Sequence, residues 1–142
     1  MNFASKVTPV PGSVVYCQII AGVADHSGIY IGNNRIVHLN GSGDIEVVSP
    51  KEFLNRMGGF NTAFNIYVSS KNGKAVGSNL VAKRAKESLT SFTDYNLIMN
   101  NCHRFVGGCL TGDFNTYRNF LWAVTTQAEL TLGATAWDKW DL

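Results

Sequence analysis

The segment "HSGIYIGNNRIVHLN", residues 26–40, is the strongest single constraint on what this chain can fold into. Two β-branched and aromatic runs, 26–31 and 35–39, flank Gly32-Asn33-Asn34, residue types that tolerate left-handed backbone, so the stretch reads as a β-hairpin. It carries two of the chain's three histidines, His26 and His38, on opposite arms. Loop length decides whether they meet. A two-residue loop, Asn33-Asn34, sets Ile29 opposite His38 and turns His26 to the other face. A three-residue loop, Gly32-Asn33-Asn34 with Asn34 left-handed, sets Ile31 opposite Arg35 and Gly28 opposite His38. The two histidines then share a face as diagonal neighbours, roughly 7 Å apart.

More strands surround the hairpin. "SVVYCQII", 13–20, is apolar and β-branched between Pro11-Gly12 and Gly22, "DIEVVS", 44–49, alternates after a Gly-Ser-Gly turn, and "AFNIYVSS", 63–70, is a further strand. Ser49 followed by Pro50 is an N-cap with proline at the first helical position, so "KEFLNRM" is expected to start a short helix. From about Ser78 the period lengthens: Val81, Ala85 and Leu89 recur at helical spacing. A second long helix is expected near Asn101 or Cys102, and a third carrying Phe114, Tyr117, Leu121 and Val124. Strands first and helices later imply an α+β fold, an antiparallel sheet packed against helices, with the Cys102 helix on the His26 strand. A chain of 142 residues is expected to form one domain, 1–142.

The net charge of +2 is too small to suggest a nucleic-acid partner. The basic residues of "KNGKAVGSNLVAKRAKE" read as a solvated helix face. Pro9, Pro11 and Gly12 break any helical signal-peptide core, and no window reaches the roughly 18 apolar residues of a membrane span. The expectation is a soluble protein of the cytoplasm or another reducing compartment, since Cys17, Cys102 and Cys109 form no C-x-x-C pair and are odd in number.

A cysteine acts as a nucleophile only as thiolate, and both a helix N-terminus and a nearby imidazole favour that form. Asn100-Asn101 before Cys102 supplies N-cap candidates, which puts Cys102 in a first helical turn. The unpaired backbone N–H groups of that turn, with Asn101 as the cap and Cys102's own N–H, form an oxyanion site. His26 is the candidate base and His38 its orienting partner; Cys17 and Cys109 read as structural. Two histidines and a cysteine also raise the possibility of zinc, but the spacing fits no compact motif, so no metal and no organic cofactor is expected.

"HSGIYIGNNRIVHL" followed by "YNLIMNNCHRFV" resembles the lecithin:retinol acyltransferase family, within the permuted NlpC-type papain-like thiol enzymes. The matching positions are His26, Gly28, Ile29, Tyr30, Gly32 and His38, then Asn101, Cys102, Phe105 and Val106. The likeness runs from about residue 11 to about 109. It implies Cys102 as nucleophile, His26 as base and His38 as third member of a triad, with acyl transfer from a lipid ester through a thioester. The chain departs from many animal members in having His103-Arg104 after the cysteine in place of Glu-His. Residues 110–142 have no counterpart and hold Trp122, Trp137 and Trp140, for which a helix packed on the core competes with a membrane-interface or substrate-cap role. Two rival functions stand beside acyl transfer: a thiol amidase or peptidase acting on peptide or peptidoglycan bonds, and a non-catalytic interaction module on the same fold.

Overall fold

The computed structural model describes residues 6–20, 24–55, 65–91, 101–115 and 120–142. Gly22, Arg56-Met57, Ala63-Phe64, the run 95–100 and Tyr117, which figure in the sequence reading, lie outside them. In chain order the elements are β1 (Lys6–Val7), β2 (Val14–Ile20), β3 (Ala24–Gly32), β4 (Arg35–Leu39), β5 (Ile45–Val48), α1 (Pro50–Leu54), β6 (Tyr67–Lys71) and β7 (Lys74–Ala75). They continue with α2 (Asn79–Ser91), α3 (Cys102–Thr111), α4 (Leu121–Leu132) and β8 (Ala136–Trp140). The architecture is α+β.

Seven strands run in the order β1-β8-β6-β2-β3-β4-β5, with β7 paired to β6 off that path. All pairings are antiparallel except β1 with β8, so the sheet is mixed rather than purely antiparallel. The hairpin register matches the expectation, by a different device. Ile29 pairs with Val37 and Tyr30 with Ile36, and then Gly32 pairs with Arg35, leaving one extra residue on β3. Asn33 and Asn34 both have positive φ, 51° and 56°, as a two-residue type I′ turn requires, and Gly32 at φ 98° accommodates the bulge beside it. A tight turn plus a bulge thus gives the odd offset that a three-residue loop would have given.

Strand alternation separates two apolar layers. On one face Val14, Ile29, Val37 and Leu39 pack against Val81 and Ala85 of α2, Phe105, Val106, Cys109 and Leu110 of α3, and Val124 and Ala128 of α4. On the other, Val15, Cys17, Tyr30, Ile36, Val48, Ile66 and Val68 meet Phe53 of α1 and Trp140 of β8. Tyr30 and Trp140 meet edge-on with centroids 5.2 Å apart, although β2 and β6 lie between their strands. A flat sheet would hold β3 and β8 about 14 Å apart, so the sheet curls around this second face, which is concave.

Local chemistry accounts for the helices that matter here. Ser49 and Glu52 form a reciprocal capping box at α1, with Pro50 at the start as expected, and Phe53 is then driven fully into the concave layer. Of the residues expected on a third helix, Leu121 and Val124 lie on α4, whereas Phe114 precedes it. The tail beyond it returns as β8, between β1 and β6, and Trp140 is only 6% exposed. No described helix is long and apolar enough to cross a membrane.

Candidate active site

Cys102 is the first residue of α3, and Asn101 is its N-cap, as the sequence implies. The Asn101 side-chain oxygen accepts from the backbone N–H of His103 at 2.8 Å and of Arg104 at 3.4 Å, so the cap engages the two N–H groups beyond that of Cys102. Cys102 is partly buried. Cys17 and Cys109 are fully buried, and burial pushes the Cys109 thiol far up, with Arg84 opposing only in part. A thiol held protonated in this way is a poor nucleophile, which fits the structural role read for Cys109.

His26 and His38 are brought together. His26 Nε2 lies 2.9 Å from His38 Nδ1, and the rings meet edge-on at 4.9 Å over the ring of Phe53. His38 Nε2 is 3.0 Å from Glu46 Oε1, across the β4–β5 pairing of His38 with Glu46. A carboxylate only accepts, so Glu46 fixes a proton on His38 Nε2. In neutral His38, Nδ1 then accepts from His26 Nε2–H, and the basic lone pair of His26 resides on Nδ1. Gly28 makes room for this arrangement. A Cβ there would stand 2.7 Å from Ile36 Cγ2 and 3.1 Å from Phe53 Cε1.

The third sequence-derived member, Cys102, comes from α3. α3 does pack on β3, but on the face of Ser27 and Ile29, whereas His26 projects with Cys17 and Gly28 into the concave layer. The residue after Cys102 is the third histidine, His103. That ring is 4% exposed and is held by β3: Nε2–H donates to the Asp25 carboxylate, and Nδ1 is 2.7 Å from the buried Ser27 hydroxyl. Burial disfavours a charge on His103, but Cys102 and then Asp25 outweigh it and raise its pKa above the ordinary value.

Three functional candidates therefore escaped the sequence reading: Glu46, Asp25 and Ser27. Glu46 was accessible in principle, because alternation along 44–49 places it beside His38 once the strands pair. Asp25 and Ser27 carried no local signal toward a histidine more than seventy residues away. Among the described residues, no group of three His, Cys, Asp or Glu side chains is arranged to hold a metal ion.

Residues 8–115 match the family model described as lecithin retinol acyltransferase, which covers more than half of the chain and spans both histidines, Asn101 and Cys102. The chain belongs to the lecithin retinol acyltransferase family. No curated protein and no solved structure matches it. Membership supports acyltransferase or thiol-enzyme activity in general, and the match stops before α4 and β8 begin. In this family member the last strand of the sheet thus comes from sequence outside the family's matched region.

Proposed function

We propose that the protein is a cysteine-dependent acyl-transfer enzyme that takes an acyl group from a lipid ester onto Cys102 and passes it to water or a second nucleophile. The observation that carries this reading is the position of Cys102 within the family match: a partly buried thiol on the first residue of an Asn-capped helix. The first helical turn leaves Cys102's own N–H outside the Asn101 cap, which supports its reading as an oxyanion donor.

The chemistry follows in two halves. The thiolate adds to the ester carbonyl, and the tetrahedral oxyanion then collapses, expelling the alcohol with a proton returned from an imidazolium. Water or an acceptor hydroxyl or amine, deprotonated by the same imidazole, cleaves the thioester and regenerates Cys102. By the family resemblance His26 is that imidazole and His38 its orienting partner. The His26–His38–Glu46 chain supports this by leaving the basic lone pair on His26 Nδ1. The placement of His26 on the opposite face from α3 weighs against it, so the test includes a base variant.

Lipid contact, if the substrate is a lipid aggregate, falls to Phe120, Trp122 and Leu130, which are 61%, 69% and 77% exposed, with the first two rings stacked. Trp137 and Trp140 are taken up by the sheet.

The test is intact-mass detection of a covalent adduct after incubation with phospholipid vesicles, a short-chain soluble ester and peptide amides. An acyl adduct from an ester, absent in Cys102→Ala, is expected. Adducts from peptides alone would replace lipid-ester chemistry with amidase chemistry, and turnover that survives Cys102→Ala would remove the mechanism. Turnover that survives His26→Asn would take the base role from His26.

A further inference from the structure

His26 and His38 are 6% and 0% exposed, yet the chain of hydrogen bonds that joins them ends at the surface. Both links are short enough for a proton to cross: His26 Nε2 is 2.9 Å from His38 Nδ1, and His38 Nε2 is 3.0 Å from Glu46 Oε1. Glu46, the outer link, is 43% exposed on the edge strand β5, where it pairs directly with His38. Around the pair, Phe53 lies over both rings at 4.8 and 5.8 Å, and β2 sets the buried Cys17 across from His26. From α1, Glu52 is committed to the Ser49 N–H of the cap. A histidine that only orients its neighbour needs no connection to water. His38 has one, through a carboxylate that can take up a proton and release it.

We propose that His26, His38 and Glu46 form a proton relay that joins the buried His26 to solvent, with Glu46 as a positioning residue that acts through His38. The proton balance follows from the tautomers of the two rings. A proton enters His26 at Nδ1, and the His26 Nε2–H proton crosses to His38 Nδ1. The His38 Nε2–H proton then crosses to Glu46 Oε1, and the carboxylic acid loses it to water. One proton enters, one leaves, and each ring ends in its other tautomer. Passage in the reverse direction restores both rings and delivers the Nδ1 proton from His26. The use of the relay in catalysis rests on His26 being the base of the proposed acyl transfer, whereas the connection to solvent does not.

His103 is the comparison within the same molecule. Its Nε2–H is also held by a carboxylate, that of Asp25, but its other nitrogen faces the fully buried Ser27 hydroxyl rather than a second imidazole. Proton exchange at His103 should therefore be independent of Glu46.

The experiment follows exchange of the imidazole N–H protons with water by nitrogen-15 NMR of histidine-labelled protein, in the wild type and in Glu46→Gln. The Gln carbonyl can still accept from His38 Nε2–H, which keeps the ring orientation, but it cannot take up and pass on a proton. Exchange at His38 and His26 should slow by roughly a hundredfold, the scale of a positioned acid–base group, with His103 unchanged. Backbone amides of β4 report any opening of the fold in the same samples. If the two rings exchange as fast in Glu46→Gln as in the wild type, or if His103 slows equally, the relay is overturned. Glu46→Ala gives a second measure: formate, a mobile carboxylic acid, should restore exchange there and leave the wild type unchanged, and no restoration also overturns the relay. Slowed exchange without an acyl adduct from any ester keeps the relay and removes the acyl-transfer reading. Acyl adducts together with unslowed exchange do the reverse.

Discussion

Trp140→Ala, set against Trp122→Ala, tests whether the aromatic tail is part of the core or an accessory to it. Trp140 is 6% exposed, lies edge-on to Tyr30 at 5.2 Å, and shares the concave layer with Val7 and Ile66. Burying a large aromatic removes about 150–250 Å² from water, worth ~4–6 kcal/mol at about 25 cal/mol per Å². A compact unfolded chain lowers such figures by roughly 10–40%, and the edge-to-face pair adds about 0.5–1.5 kcal/mol. The expected destabilisation is about 3–5 kcal/mol, in line with other buried aromatic truncations. For a chain of this size that lowers the melting temperature by about 10–15 °C. Trp122, at 69% exposure, should change stability by no more than about 0.5 kcal/mol. Urea titration followed by far-UV circular dichroism measures both, at equal m-value. If Trp140→Ala leaves the midpoint in place, or Trp122→Ala shifts it as much, the account of β8 as a core strand is wrong.

Other predictions can be checked alongside it. Trp122→Ala, neutral for folding, should lower turnover on phospholipid vesicles while sparing a short soluble ester; equal loss on both would rule out a lipid-contact role. Nitrogen-15 NMR of labelled histidine should find neutral His38 protonated at Nε2, and Glu46→Ala should scramble that tautomer; a His38 protonated at Nδ1 in the wild type would break the proposed proton order. The raised pKa of His103 stabilises the fold fully below its unfolded value of about 6.5, and that stability is lost as pH rises through the higher folded value. Stability should therefore fall with pH across this window, less steeply in Asp25→Asn, and unchanged slopes would show the ring to be unlinked to folding. Ser49→Ala should cost about 1 kcal/mol through the lost α1 cap, measurable by the same urea titration.

What the sequence made legible was local. Strand runs, Ser49-Pro50 and Asn101-Cys102 announce themselves through turn and cap chemistry, and the Gly32-Asn33-Asn34 stretch brings His26 and His38 together as read, through a tight turn and a bulge in place of a three-residue loop. The strand state of β8 was not legible. "AWDKW" mixes two charges with two tryptophans, and its conformation comes from pairing with β1 and β6, distant in sequence. The docking face of α3 was hidden for a different reason. Residues 26–30 of β3 are buried on both sides, so alternation cannot say which face receives the helix. That ambiguity decides whether His26 or Ser27 faces α3.

The position of β8 also governs the order in which this chain can become a finished fold. Lys6 pairs with Lys139 and Val7 with Trp140, contacts that span nearly the whole sequence, so loop closure must be met before the sheet is complete. Until that happens β6 presents Tyr67–Ser70 as an open edge, with backbone groups ready to pair with another molecule. A clone trimmed to the family's matched limits, 8–115, would carry that bare edge permanently, having lost both β1 and β8. Such a fragment would retain His26, His38 and Cys102 and still be expected to collect in the insoluble fraction, where its inactivity would say nothing about its chemistry.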